Sequence, residues 1–168
     1  MIALDFKIPT RIALSRFEDN RGYLEALLEC NVSGDICVKR TNTKLGVIRG
    51  FHWQHIASPQ AKIIFVLRGS IFDVSVEMNG DRPLMNSISH EIITEDCEEC
   101  IYVPPHYAHA YQALTEDSLV LYFCLGRYDA EAELSINPLT LNIDWPVKEL
   151  VVSEKDLSGV NYEISSSF

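Results

Sequence analysis

Short apolar runs with the composition of β-strands follow one another along this chain, and turn-forming residues separate them. We predict six strands from these runs, at residues 36–41, 61–67, 70–78, 91–94, 100–103 and 118–125. Arg68-Gly69-Ser70 is typical of a hairpin turn between the second and third strands, and Pro104-Pro105 ends the fifth. Several short strands joined by turns predict an all-β fold, either a jelly-roll β-sandwich or a small barrel.

Helical periodicity is weak throughout the chain. Residues 22–28 and 131–134 are each long enough for a helical turn or two, and the tail from Pro146 is expected to carry short helices. The 168 residues suffice for one domain with a proper core, and they contain no linker, repeat or low-complexity segment. We therefore predict a single domain over residues 1–168.

Composition excludes several classes of partner. The net charge is −10 and no basic stripe is visible, which argues against binding to nucleic acid. No apolar run approaches the roughly 20 residues that span a bilayer, and the N-terminus lacks the features of a secretory signal. We expect a cytoplasmic protein with no membrane partner. The odd number of cysteines is typical of reduced thiols, and Cys97-Glu98-Glu99-Cys100 lacks a second half-site for zinc.

Polar residues interrupt the apolar strands at five positions: Arg49, His52, Lys62, His109 and Tyr122. Strand alternation is expected to point them together into the open mouth between the sheets. Such a cluster could hold a diphosphate and could also transfer protons. Taken singly, each residue is more simply a structural one: a hydrogen-bonded histidine, a lysine at a strand end or a core tyrosine.

A metal site is the other chemistry that a β-sandwich of this kind suggests. It requires a His-x-His pair followed by a carboxylate. Here His55 follows His52 at the wrong strand parity, and Gln60 or Lys62 occupies the place of the carboxylate. We therefore predict chemistry without a metal or other cofactor.

Several motifs together resemble one known family, the dTDP-4-dehydrorhamnose 3,5-epimerases, over residues 17–156. The motifs are Phe17-Glu18-Asp19-Asn20-Arg21-Gly22, Gly46-Val47-Ile48-Arg49-Gly50-Phe51-His52-Trp53-Gln54, Pro59-Gln60-Ala61-Lys62, Gly69-Ser70-Ile71-Phe72-Asp73-Val74, Tyr102-Val103-Pro104, Ala108-His109-Ala110, Tyr122 to Tyr128, Asp144-Trp145-Pro146 and Ser153-Glu154-Lys155-Asp156. Their order and spacing are specific, although each motif alone is weak. The resemblance implies a cupin-like jelly-roll β-sandwich with short peripheral helices.

The resemblance also implies a reaction, which is epimerisation at C3, C5 or both of a nucleotide-linked 4-keto-6-deoxyhexose. It assigns His52 as general base, Asp156 as its carboxylate partner, Tyr122 as the acid on the opposite face and Lys62 as the cation near the C4 oxygen. It assigns Arg21 to the nucleotide and Arg49, Gln60, His109 and Lys155 to the substrate. Family members are typically homodimers that exchange strands, in deoxysugar and polysaccharide biosynthesis. A positioned ammonium can stabilise the enolate oxygen that this reaction requires.

Three sites depart from the family pattern. Ala26 replaces an acidic residue, Cys37-Val38-Lys39 stands where Gln-x-Asn is usual, and Glu77-Met78-Asn79 stands where Asp-Leu-Arg is usual. Three alternative functions remain at this point. They are a nucleotide-sugar 3,4-ketoisomerase, a non-catalytic sugar-binding cupin and a metal-dependent cupin oxygenase.

Overall fold

The computed structural model describes residues 4–29 and 34–162. These residues form thirteen β-strands and one short α-helix. The strands are β1 Thr10–Ala13, β2 Ser15–Asp19, β3 Gly22–Ala26, β4 Ile36–Thr43, β5 Val47–Gln54, β6 Ala61–Arg68, β7 Ser70–Asn79, β8 Arg82–Thr94, β9 Glu99–Val103, β10 Tyr107–Ala113, β11 Ser118–Leu125, β12 Glu133–Ser135 and β13 Val151–Val152. Helix α1 covers Glu154–Leu157.

Two sheets form the body of the molecule. The first has the strand order β1-β9-β6-β11-β4, and the second has the order β12-β5-β10-β7-β8, with β13 added to β5 in parallel. All the other pairs of neighbouring strands are antiparallel. Strands β2 and β3 pair only with each other, as a separate hairpin. This layout is the jelly-roll sandwich that the sequence predicted.

Apolar residues fill three layers because both faces of each sheet are covered in part. The layer between the sheets contains Ile64, Val66, Ile71, Ile93, Ile101, Val103, Tyr107, Tyr111 and Val120. The outer face of the second sheet packs against Leu141 and Trp145 from the C-terminal segment. The outer face of the first sheet packs against Leu4, Phe6 and Leu14 from the N-terminal segment. Strands buried on both faces lose strict alternation, which explains the continuous apolar run in β6.

An extra residue in β5 changes which side chains face the interior. His52 lies opposite His109 and Arg49 lies opposite Tyr111, so three residue steps on β5 match two on β10. Such a bulge lets side chains of unlike parity reach the same face. Gly50 has φ +119°, and a Cβ there would lie 2.5 Å from the carbonyl oxygen of His109. Only glycine fits this close approach without displacing β10.

The predicted strands are all present, but both predicted helical turns were wrong. Residues 22–28 contain strand β3, which pairs with β2, and residues 131–134 lead into strand β12, which pairs with β5. Pairing across the sheet outweighed weak local preference in both segments. The expected short helices in the tail are represented by α1 alone in the described part of the chain. None of its helices is long and apolar enough to cross a bilayer.

Candidate active site

A cavity of about 300 Å³ opens between the two sheets. Eight of the nine predicted site residues line it: Arg49, His52, Gln60, Lys62, His109, Tyr122, Lys155 and Asp156. Strands β5 and β10 supply residues from one sheet, β6 and β11 supply residues from the other, and the segment at α1 closes one side. His52 and Tyr122 therefore share one cavity. The volume is at the small end of ligand pockets, and it suits a sugar with its phosphates.

His52 and Asp156 form a hydrogen-bonded pair at the cavity wall. Nε2 of His52 lies 2.7 Å from Oδ1 of Asp156, and the carboxylate is only 5% exposed. Burial raises the pKa of Asp156, but the hydrogen bond and charge of His52 outweigh burial, and the pKa is lowered overall. An ionised Asp156 favours a proton on Nε2 of His52. Nδ1 is then left as the ring nitrogen that can accept a proton.

Local structure explains how Asp156 reaches a residue 104 positions earlier. Strand β13 pairs in parallel with the start of β5, which sets α1 beside β5. Ser153 caps α1, because its side chain accepts a hydrogen bond from the backbone N–H of Asp156 at 3.1 Å. The cap and the strand pairing together hold the carboxylate against His52.

Lys62 contacts the backbone of His52. Its Nζ donates a hydrogen bond to the carbonyl oxygen of His52 at 2.8 Å. Burial lowers the pKa of Lys62 to about 8, with smaller effects from neighbouring charges. At neutral pH the amine of Lys62 is therefore protonated in most molecules. Lys62 can therefore place a positive charge beside a developing oxyanion.

Tyr122 faces the cavity from β11 on the other sheet. Burial raises its pKa well above the ordinary value, and the neighbouring Tyr111 and Asp73 add to the effect. Its ring lies edge-on to His109, with 6.2 Å between the ring centroids. His109 is itself buried, and its Nε2 lies 2.6 Å from Oδ2 of the buried Asp73. Tyr122 thus stays protonated at neutral pH and can donate its proton.

The lining is cationic although the chain is acidic. Lys39, Arg49, Lys62 and Lys155 line the cavity with the carboxylates Glu133 and Asp156, so its wall carries a net charge of +2 with both histidines neutral. Glu133 binds Lys155 at 2.8 Å and Asp156 binds His52. The remaining cations are available to an anionic ligand. Two positive charges match the charge of a diphosphate diester.

Arg21 is the predicted site residue that the fold does not bring to this cavity. It lies at the turn of the β2–β3 hairpin, with its side chain 86% exposed and paired with Asp19 at 2.5 Å. Arg21 instead lines a separate shallow groove on the hairpin.

The chain is similar to proteins of known activity. A model of the dTDP-4-dehydrorhamnose 3,5-epimerase family matches residues 8–163. The chain belongs to this family. A dTDP-4-dehydrorhamnose 3,5-epimerase of Methanothermobacter thermautotrophicus is 30% identical over 153 residues, covering 83% of this chain and 82% of that protein. One from Mycolicibacterium smegmatis is 33% identical over 112 residues, but these cover only 56% of that protein.

Solved structures of the same family share the fold. The crystal structure of the dTDP-4-dehydrorhamnose 3,5-epimerase from Sulfolobus tokodaii matches with a TM-score of 0.80 and 32% identity, over 91% of this chain and 89% of that chain. An epimerase from Legionella pneumophila, solved with dTDP-4-keto-L-rhamnose, matches with a TM-score of 0.78 and 25% identity, over 92% and 88%. The predicted fold and family are confirmed, and the predicted class of enzyme is that of the family.

The cavity of this member of the epimerase family is also lined by residues to which the sequence assigned no role. They are Lys39, Thr41, Trp53, Gln54, Cys124, Tyr128, Glu133 and Ser153. Inward alternation along β4 could have indicated Lys39 and Thr41, because the strand itself was predicted. Nothing local marks Glu133, which reaches the cavity only because β12 pairs with β5.

Metal sites and reactive thiols are the remaining features that the sequence raises for this epimerase-family protein. Within residues 4–29 and 34–162, no group of three His, Cys, Asp or Glu side chains is arranged to hold a metal ion. Cys37, Cys97, Cys100 and Cys124 are free thiols, and Cys30 lies outside the described residues. The Cys97 and Cys100 pair lies away from the cavity.

Proposed function

We propose that the protein epimerises a dTDP-linked 4-keto-6-deoxyhexose at C3, C5 or both. The observation that carries the proposal is one cationic cavity with a carboxylate-bound histidine, a protonated tyrosine and a lysine on its wall. A sugar-binding module needs no base and acid of this kind. The named activity of the relatives supports the same conclusion.

The first step uses His52 as the base. Nδ1 takes the proton from the carbon beside the C4 ketone, and the electron pair of the C–H bond moves to form an enolate with its charge on the C4 oxygen. Lys62 stabilises that oxyanion as it forms. Asp156 stabilises the imidazolium that results, through the hydrogen bond at Nε2.

The second step uses Tyr122 as the acid. Its O–H bond breaks, the proton adds to the same carbon from the opposite face, and the enolate returns to the ketone. The cycle leaves an imidazolium at His52 and a phenolate at Tyr122, and exchange with solvent resets both. His109, held by Asp73 beside Tyr122, is proposed to contact the substrate, as are Arg49, Gln60 and Lys155.

A homodimer is proposed to complete the nucleotide site. The β2–β3 hairpin exposes Phe17, Tyr23 and Leu24, each more than 60% accessible, and carries Arg21 at its turn. A second copy would cover this apolar surface and receive Arg21 at its own cavity. Such an enzyme would act in the cytoplasm, where nucleotide sugars supply polysaccharide and glycoside assembly.

Hydrogen exchange in D₂O tests the reaction directly. The protein is incubated with dTDP-4-keto-6-deoxyglucose, and deuterium at C3 and C5 is measured by NMR in recovered substrate and product. We expect exchange at one or both carbons, and their number separates a one-centre from a two-centre epimerase. Absence of exchange with dTDP-, UDP-, CDP- and GDP-linked substrates would contradict the proposal.

Two variants separate the two steps. His52→Ala is expected to abolish exchange while the fold is retained. Tyr122→Phe is expected to keep exchange and to lose most inversion, because only the proton donor is removed. Full activity of the His52 variant would end its assignment as base. A ketoisomerase would instead move the carbonyl group from C4 to C3, which the same NMR spectra would reveal.

Complementation tests the dimer. Arg21→Ala and His52→Ala are each expected to lower activity strongly. Mixing the two after denaturation and refolding would form mixed dimers in which one cavity has both residues intact. Recovery of about a quarter of the wild-type activity is expected from random pairing. No recovery, together with a monomeric mass by light scattering, would exclude a shared site.

A further inference from the structure

A network of buried hydroxyl groups lies behind the cavity wall. Tyr111 on β10 is fully buried, and its hydroxyl lies 2.6 Å from Oγ1 of Thr43 and 2.9 Å from Oγ1 of Thr41. Arg49 donates a hydrogen bond from Nε to Oγ1 of Thr43 at 3.0 Å. The network therefore connects a cavity cation to a tyrosine in the interior.

Tyr111 is next to the inverting tyrosine. The rings of Tyr111 and Tyr122 are tilted by 47°, with 6.2 Å between their centroids, across the space between the two sheets. Burial is the largest cause of the raised pKa of Tyr122, and Tyr111 raises it further by charge and by hydrogen bonding, as an acceptor from the Tyr122 hydroxyl would. Tyr122 is thus the donor in the resting state, and a bond donated by Tyr111 can form only after Tyr122 has lost its proton. Tyr111 does not line the cavity, so it can act on substrate only through neighbours that do, which are Tyr122 on one side and Thr41 and Arg49 on the other.

Arg49 fixes the direction of the hydrogen bonds in the network. Arg49 is only a donor, so Oγ1 of Thr43 accepts from it. Thr43 can then donate its own proton to the oxygen of Tyr111. In the resting state the proton of Tyr111 can bond to Oγ1 of Thr41 at 2.9 Å, and it can turn to the oxygen of Tyr122 once that oxygen carries a charge. Hydrogen bonds aligned in one direction strengthen one another in a medium of low dielectric constant.

A donor at this place matters only after Tyr122 has given up its proton. The buried phenolate is then an acceptor that water does not reach from the interior side, and an unpaired buried charge is costly. Before that moment Tyr122 is neutral and needs no such donor. The network therefore acts on reprotonation and not on the first proton abstraction.

We propose that Tyr111 is a positioning residue for Tyr122, and that its hydroxyl, supported by Thr43 and Arg49, donates to the Tyr122 oxygen during inversion. The inference rests on the proposed function, since it takes Tyr122 as the acid. It adds a residue that no cavity contact would reveal. It also gives the paired threonines on β4 a role in the reaction.

The variant Tyr111→Phe tests the proposal, because it removes the hydroxyl and keeps the buried ring. In D₂O, deuterium in recovered substrate reports abstraction, and inverted product reports reprotonation. We expect abstraction and KM to stay within about twofold of wild type, while product formation falls about 10- to 100-fold, the effect of losing a hydrogen bond to a charged group. Thr43→Val removes the hydroxyl that donates to Tyr111 and is expected to raise the ratio of exchange to inversion in the same way.

Tyr107→Phe is the matched control. Tyr107 lies on the same strand and in the same core cluster, but its hydroxyl interacts with Glu77 and not with Tyr122. Its variant should leave the ratio of exchange to inversion unchanged. If Tyr111→Phe forms product at the wild-type rate, or slows exchange and product formation equally, the proposal is overturned.

Failure of the proposed function would look different. It would appear as absence of exchange in the wild-type protein, before any variant is compared. If Tyr111→Phe does not fold, Thr43→Val decides the matter. A folded Thr43→Val protein with the wild-type ratio of exchange to inversion would also overturn the proposal.

Discussion

Replacing Asp156 by asparagine should separate the charge of the His52 partner from its shape. The carboxylate is 5% exposed, lies 2.7 Å from Nε2 of His52 and also faces the backbone N–H of Gly50 at 3.5 Å. Asparagine has nearly the same volume, and its carbonyl oxygen can accept the same hydrogen bond. The fold should persist, while the negative charge beside the imidazolium is lost.

The size of the effect follows from the strength of the bond. A hydrogen bond to a charged group contributes about 1.5–3 kcal/mol and a neutral one about 0.5–1.5 kcal/mol. Because an imidazolium at His52 stays charged, its bond to asparagine falls at the lower end of the first range and its bond to aspartate at the upper end. The difference is about 1–2 kcal/mol when His52 carries the abstracted proton. Each 1.36 kcal/mol changes a rate tenfold. We therefore expect Asp156→Asn to slow proton abstraction by roughly 5- to 30-fold, with KM little changed.

The assay is the initial rate of deuterium incorporation at saturating substrate, with far-UV circular dichroism to check the fold. Asp144→Asn is the control, because Asp144 is an exposed carboxylate bound to Lys148 and does not line the cavity. It should exchange at the wild-type rate. A folded Asp156→Asn protein that also exchanges at the wild-type rate would show that the charge of Asp156 plays no part in the reaction.

Three further predictions concern Lys62, Lys39 and Gly50. Wild-type activity should fall as pH rises through about 8, where Lys62 loses its proton. Because the folded pKa of Lys62 lies below its unfolded value of 10.5, the stability of the wild-type protein should rise with pH between about 8 and 10.5. Lys62→Met should lack this rise in thermal unfolding and should be inactive in rate measurements. Lys39→Ala should raise KM several-fold in low salt with kcat unchanged, since Lys39 lines the cavity as a cation. Gly50→Ala should cost about 2–4 kcal/mol in denaturant unfolding, because its Cβ would lie 2.7 Å from that of Ala110.

The sandwich could be predicted from the sequence because several of its strands, though not β5 or β10, have strong local signals. The predicted run 118–125 matches β11, and 61–67 differs from β6 by a single residue. The short strands β3 and β12 were missed as strands because each gains its stability from a neighbour in space. Neither has a period long enough to distinguish a strand from a helical turn.

The candidate site could be predicted residue by residue only through the family resemblance. Arg49 and His52 are three positions apart, so the expectation that simple alternation points them together was wrong for this pair, since it would place their side chains on opposite faces of the sheet. The bulge at Gly50 brings both into the cavity, and nothing in a simple alternating pattern announces it. Asp156 is equally hidden, since its approach depends on β13 pairing with β5.

The same bulge links the site to the stability of the fold. It is tolerated because Gly50 adopts φ +119° and lets β5 approach β10 closely. The shift in register sets His52 opposite His109 and Arg49 opposite Tyr111. His52 therefore lies beside the buried pair of His109 and Asp73. Arg49 lies beside the hydroxyl network of Tyr111. A regular β5 would lose one of these two neighbours, so we infer that the irregular strand is what allows base, cation and acid to meet in one cavity.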